Sequence, residues 1–208
     1  TAPTGTEVWC AGASHDITWD ATGVDNVKIE LSNDGGSSYS ETIATSVDAS
    51  TGSYSWNIPS SQNEGTQYRI RISDASDSDL NDASGSNFEI AEETSITSQP
   101  ETRRKCEGED ATFVVEATGS DLSYQWKKDG SDISGETSNS LVISGVSTDD
   151  AGDYSVEVEG ACGEPVTSNT VQLIVDKQPD IVEPPSSQDV CEGSSVLIRV
   201  TAEGTDLE

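Results

Sequence analysis

"DDAGDYSVEVEGACG", Asp149 to Gly163, is the stretch from which the fold can be read. Tyr154, Val156 and Val158 alternate with Ser155, Glu157 and Glu159, the period-two pattern of a strand with one buried face. Related runs flank it: "ATFVVEAT", "LSYQWKK" and "SLVIS" before, "NTVQLIV" after. The first ninety or so residues carry their own set: "HDITWD", "NVKIEL", "YSETIAT", "GSYSWNI", "QYRIRIS" and "SNFEIA", with a short opening strand near Val8. The runs recur at about ten-residue spacing, separated by Gly, Asn and Asp, and no long helical period interrupts them. The expected class is all-β, built as tandem β-sandwiches.

An internal repeat sets the domain limits. "KCEGEDATFVVEATGSDL", from Lys105, aligns without gaps to "VCEGSSVLIRVTAEGTDL", from Val190, at an offset of 85 residues between Cys106 and Cys191. A period of that size suits sandwich domains in tandem. The expected domains are 1–92, 93–176 and 177–208, the last holding the first strands of a truncated sandwich, with the protein continuing beyond it. Residues after Pro185 are expected to pair with another chain or to lie against the second domain, because uncovered strand edges recruit partners. Free Cys106 and Cys191 would favour artefactual dimers.

Composition narrows the partners. The 208 residues carry 39 acidic and 10 basic side chains, a formal net charge of -29. Such a chain repels nucleic acid and acidic membrane surfaces. No apolar run approaches the ~20 residues of a membrane helix. Four cysteines in a strand-rich chain fit an exported, extracellular or cell-surface protein.

The second domain resembles immunoglobulin-like domains of the I-set or V-set kind, on Trp126 in "YQWKKDG" and on "DAGDY", with Tyr154 as the corner tyrosine and Asp150 at its acidic position. The resemblance places core cysteines on strands B and F, but this sequence has Val115 and Val156 there. Two facing valines replace a disulfide with buried apolar surface, worth roughly 1.5–2 kcal/mol each. The first domain is similar to the fungal Ser-Thr-rich, GPI-anchored cell-wall family, on "EVWCAG", "DITWDATGVDNVKIELSNDGGSSYS", "GSYSWNIP" and "YRIRISDASD". The combination resembles large secreted or outer-surface proteins of gliding, polymer-degrading bacteria. That resemblance implies a spacer or adhesive stalk.

The immunoglobulin resemblance also bears on Cys162, which falls in the turn between strands F and G. Strands B and F of such a sandwich run in the same direction. Cys106, entering B, and Cys162, leaving F, then sit at opposite ends, beyond the ~7 Å Cα separation a disulfide tolerates. Cys10, in "VWCAGAS", lies in a turn at the exit end of the first sandwich. The expected bond is Cys10–Cys162, across the domain junction and stiffening it. A Cys106–Cys162 bond and free thiols are the alternatives. The same logic assigns Cys106 and Cys191 to the corresponding turns of following domains, outside residues 1–208.

Chemistry-bearing residues are sparse. His15 is flanked by Ser14 and Asp16, but neighbours on a strand point to opposite faces, so the three form no triad. Asp74, Asp77, Asp79 and Asp82 cluster in "SDASDSDLND", where calcium is a candidate ligand, without the twelve-residue calcium-loop pattern. "SNDGGSSY", from Ser32 to Tyr39, fits an Asp-box once and reads as a hairpin turn. Tyr39 and Trp9 are the aromatics expected to be exposed for a ligand. The expected function is a non-catalytic spacer or stalk with no required cofactor. The alternatives are a module binding a polysaccharide or a surface receptor, and an accessory region of a polymer-degrading enzyme.

Overall fold

The computed structural model describes residues 2–205. The chain packs into two compact units. The first gathers residues up to 97 together with 117–123 and 158–166; the second gathers the remainder. The fold is all-β, two tandem immunoglobulin-like sandwiches followed by a short hairpin, with only single 3₁₀ turns at Ala49–Thr51 and Thr148–Asp150 among the described residues. No helix there is long and apolar enough to cross a membrane.

The first unit opens with β1 (Val8–Cys10) and β2 (Ser14–Thr18), then β3 (Asn26–Ser32), β4 (Glu41–Asp48), β5 (Ser53–Asn57), β6 (Gly65–Asp74), β7 (Asn81–Ala83) and β8 (Phe88–Ala91). One sheet has the order β1-β8-β6-β3-β4, with β7 added to β6; β2 and β5 form the facing pair. Alternation decides which residues meet between the layers. Ile17 and Trp56 come from one side, and Val27, Ile29, Leu31, Tyr68, Ile70, Phe88 and Ile90 from the other. β1 pairs in parallel with β8, Val8 opposite Glu89 and Cys10 opposite Ala91. β9 (Ser95–Ser98) follows the linker.

The second unit continues with β10 (Arg103–Cys106), β11 (Ala111–Val114), β12 (Glu116–Thr118) and β13 (Ser123–Lys128). Then come β14 (Ser131–Asp132), β15 (Ser140–Ile143), β16 (Gly152–Glu159), β17 (Val166–Thr167) and β18 (Val171–Asp176). The larger sheet runs β10-β18-β16-β13-β14, and β11 pairs β15. "ATFVVEAT", read above as one strand, is two: β11 pairs β15, β12 pairs β9, and Val115 sits at the switch with its N–H donating to the Asn139 carbonyl at 3.0 Å. Val115, Trp126 and Val156 are fully buried, and Tyr154 lies beside them with its hydroxyl donating to the Asp150 carbonyl at 2.8 Å. Phe113 stacks on Tyr154 at 5.0 Å between ring centroids and tilts against Trp126 at 6.1 Å.

Beyond the second sandwich, β19 (Asp180–Glu183) and β20 (Thr201–Glu203), the latter within the second copy of the repeat, form a hairpin. Ala111, Phe113 and Val115 are fully buried, whereas their counterparts Val196, Ile198 and Val200 are 46%, 61% and 56% exposed. These residues do not lie packed against the second sandwich, one of the two arrangements expected for them; β19 and β20 pair with each other. The end of the repeat, Asp206 and Leu207, lies outside the described residues.

Candidate functional site: a disulfide clasp in the first unit

Strand β1 is three residues long, and its parallel pairing with β8 turns Trp9 into the core. Trp9 is 6% exposed and packs against Phe88 at 4.7 Å and Trp56 at 6.3 Å between centroids. It is therefore a core residue and not the exposed ligand contact expected from the sequence. Cys10, next along the strand, is half-buried and ends it. The chain then reverses over Cys10–Ala13, the Ala13 N–H donating to the Cys10 carbonyl at 3.2 Å, with Gly12 at φ +88°. That left-handed value is why a glycine stands third in the turn. His15 stacks on Trp9 at 5.0 Å, and its Nε2 accepts the Cys10 N–H at 3.1 Å. Accepting that hydrogen requires a neutral ring. Burial lowers the His15 pKa below its ordinary 6.5, against the opposing charge of Asp16.

The partner comes from residues 158–166. Cys162 is bonded to Cys10, with their Cα atoms 5.6 Å apart, and its side chain is buried. Cys106 and Cys191 are exposed and unbonded, so the Cys106–Cys162 alternative does not occur. Hydrogen bonds lock three segments around the bond. The Glu92 N–H donates to Ser120 Oγ at 2.8 Å, and the Ser120 N–H returns to the Glu92 carbonyl at 3.3 Å. Ser120 Oγ donates to the Glu64 carboxylate at 2.7 Å, and the Ala161 N–H donates to the Ser120 carbonyl at 2.7 Å. Thr94 Oγ1 donates to the Cys162 carbonyl at 3.3 Å. Gly160 fits only as glycine: a Cβ there would strike Thr94 Oγ1 and come within 2.9 Å of the Ser120 carbonyl.

The clasp joins residues 152 apart in sequence. In the chain-entropy argument, closing a loop of that size stabilises the folded state by about 5 kcal/mol. The segment leading into β1 is held by charge. Four donors converge on the Glu7 carboxylate: the Thr4 N–H and hydroxyl at 2.7 and 2.8 Å, the Gly5 N–H at 2.7 Å and the Thr6 N–H at 2.9 Å. Partial burial works against ionisation, but the hydrogen bonds from Thr4, Gly5 and the Glu7 backbone outweigh it and bring the pKa from 4.5 to about 2. A depressed carboxylate stabilises the fold above its unfolded pKa and ceases to as pH falls through the folded one. We predict that the first unit loses stability as pH is lowered from about 4.5 to about 2. The loss should be blunted in Glu7→Gln, measured by urea unfolding across that range; an identical pH dependence in the variant would contradict it.

The remaining candidates do not come together as sites. Asp74 accepts from the Ser76 N–H and hydroxyl, both at 2.7 Å, Asp77 from the Asp79 N–H at 3.1 Å, and Asp82 from the Ala83 N–H at 2.9 Å. Each carboxylate orders its own turn, and no three His, Cys, Asp or Glu side chains gather to hold a metal among the described residues. Tyr39 is half-buried, with the Arg71 guanidinium 4.3 Å above its ring and Arg71 also paired to Glu30 at 2.8 Å. One ring face is thus already occupied. Asp34, in the Asp-box turn, accepts from Ser38 N–H and hydroxyl and from Ser32, which hold its pKa at about 2. A cavity of about 250 Å³ in the same unit has an apolar floor of Trp19, Val27, Ile70 and Ile72 and carboxylates only at Asp20, Asp74 and Asp82. Its lining holds no histidine, lysine or cysteine.

Sequence and structure comparisons agree with this architecture. Residues 2–90 match the Kre9/KNH-like N-terminal Ig-like domain, and residues 94–159 match the immunoglobulin domain. Both are Ig-like, non-catalytic modules, and neither match bears on the bacterial source expected from the combination of modules. The comparison with curated proteins returned no match. Among solved structures, the I-band fragment I67–I69 from titin is 18% identical, covering 97% of this chain and 74% of that one, with a TM-score of 0.63. An E-to-A variant of the same three titin domains is similar at 18% identity and the same coverage, with a TM-score of 0.60. At this identity the likeness concerns the fold alone. The clasp was legible in the position of Cys162 after strand F; the Glu92–Ser120 and Thr94–Cys162 bonds that surround it had no local signal.

Proposed function

We propose that this chain is a non-catalytic spacer segment of an exported, cell-surface protein, and that the Cys10–Cys162 clasp keeps the intervening residues folded under tension. The observation that carries the reading is covalent: force entering at one terminus and leaving at the other crosses the sulfur bridge, so residues between the two cysteines are bypassed. Two Ig-like modules, an oxidising compartment implied by the disulfide, and a net charge of -29 that resists self-association all favour such a role. Of the two aromatics expected to serve the adhesion alternative, Trp9 lies in the core and Tyr39 has one ring face under Arg71.

A glycan array separates spacer from adhesin. The spacer reading predicts no reproducible binding with the chain immobilised through either end. Micromolar binding to a polysaccharide, abolished by Tyr39→Ala, would replace this reading with adhesion.

A further inference from the structure

Cys106 stands in the second unit as Cys10 stands in the first. Each ends the first strand of its sandwich, and each strand pairs in parallel with the last: Cys10 is opposite Ala91, and Cys106 is opposite Asp176. The residue after each cysteine donates to that opposite residue, Ala11 N–H to the Ala91 carbonyl and Glu107 N–H to the Asp176 carbonyl, both at 2.9 Å. Each cysteine opens the same turn, "CAGA" or "CEGE", closed by a bond to the cysteine carbonyl from Ala13 at 3.2 Å or Glu109 at 3.1 Å, with Gly12 and Gly108 at φ +88° and +87°.

The equivalence extends into the linkers. In the first unit the Glu92 N–H donates to Ser120 Oγ at 2.8 Å and the Ser120 N–H returns to Glu92. In the second, the Lys177 N–H donates to Thr205 Oγ1 at 2.8 Å and the Thr205 N–H returns to the Lys177 carbonyl at 3.0 Å. These partners, like the strand pairs β9–β12 and β19–β20, are related by the 85-residue offset that relates Cys106 to Cys191. So residues 201–205 are tied to the second linker as residues 116–120 are tied to the first. In the first unit this arrangement brings Cys162 onto Cys10.

We propose that Cys106 is the anchor of a second clasp, formed with a cysteine in the F–G turn of a sandwich that the second copy of the repeat opens. The exposed Cys106 thiol and the partner thiol join as a disulfide, losing two protons and two electrons. The electrons pass to the disulfide of a thiol–disulfide oxidoreductase, which leaves as a dithiol. The inference rests on the geometry around Cys10 and not on the spacer reading; its failure would leave the first clasp and that reading intact.

The test is a disulfide map of the full-length protein from its native source, alkylated before any reduction. The expected result joins the Cys106 peptide to a cysteine about 85 residues beyond Cys162, eight residues after a corner tyrosine, as Cys162 follows Tyr154. Alkylated Cys106, a Cys106–Cys191 bond, or a following F–G turn without cysteine would each overturn it.

Discussion

Pulled from its ends in an optical trap, the unfolded oxidised chain is expected to extend to only about 200 Å, and the reduced chain to roughly 500 Å more. The difference comes from topology. Only residues before Cys10 and after Cys162 are in the path of the force while the sulfur bridge stands. The 152-residue separation it spans, at about 3.5 Å per residue, is the hidden length that reduction releases. Cys162→Ser should behave as the reduced protein does without any reductant, which separates the bond from other effects of the reagent. Equal extensions before and after reduction would mean that the bridge does not form in solution, and the spacer reading would lose its main support. Oxidised protein should also resist urea better than the serine variant, by up to about 5 kcal/mol, because the bridge restricts the unfolded chain as well.

Much of this was legible beforehand, for physical reasons that also explain the gaps. The alternation of Tyr154, Val156 and Val158 fixes which face of β16 is buried, and the ungapped repeat fixes the period. The position of Cys162 past the end of a strand, with the strand directions the immunoglobulin resemblance implies, argues against a bond to Cys106, because strand rise converts sequence offset into distance. The burial of Trp9 has no sequence signal because β1 is too short to display alternation; it is set by pairing with β8, some eighty residues away. The split of "ATFVVEAT" at Val115 was invisible because both halves have the same period and differ only in partner, β15 for one and β9 for the other. The knot of Glu92, Thr94, Ser120 and Gly160 has no local signature at all. Each of those residues is ordinary in sequence, and only the close approach of three turns makes Gly160 obligatory.

Replacing Trp126 by alanine is expected to destabilise the second unit by about 3–5 kcal/mol. The residue is fully buried, tilts against Phe113, and donates its Nε1–H to the Ser138 carbonyl at 2.9 Å. Truncation leaves a cavity and an orphaned acceptor together. In an immunoglobulin core cross-linked between strands B and F, a bridge would limit how far the strands separate once the ring is gone. Here Val115 and Val156 hold those positions, both fully buried, and their contribution is dispersive and apolar only. A unit of this size should lose on the order of 4–8 °C in Tm per kcal/mol. The second unfolding transition should therefore fall by roughly 20 °C, while the fluorescence of Trp9, Trp19 and Trp56 reports the first unit separately. Trp126→Phe should lie between, since it restores most of the volume but still abandons the Ser138 carbonyl. A melting profile unchanged in Trp126→Ala would show that the valine-for-cysteine core is held by something other than packing around this ring.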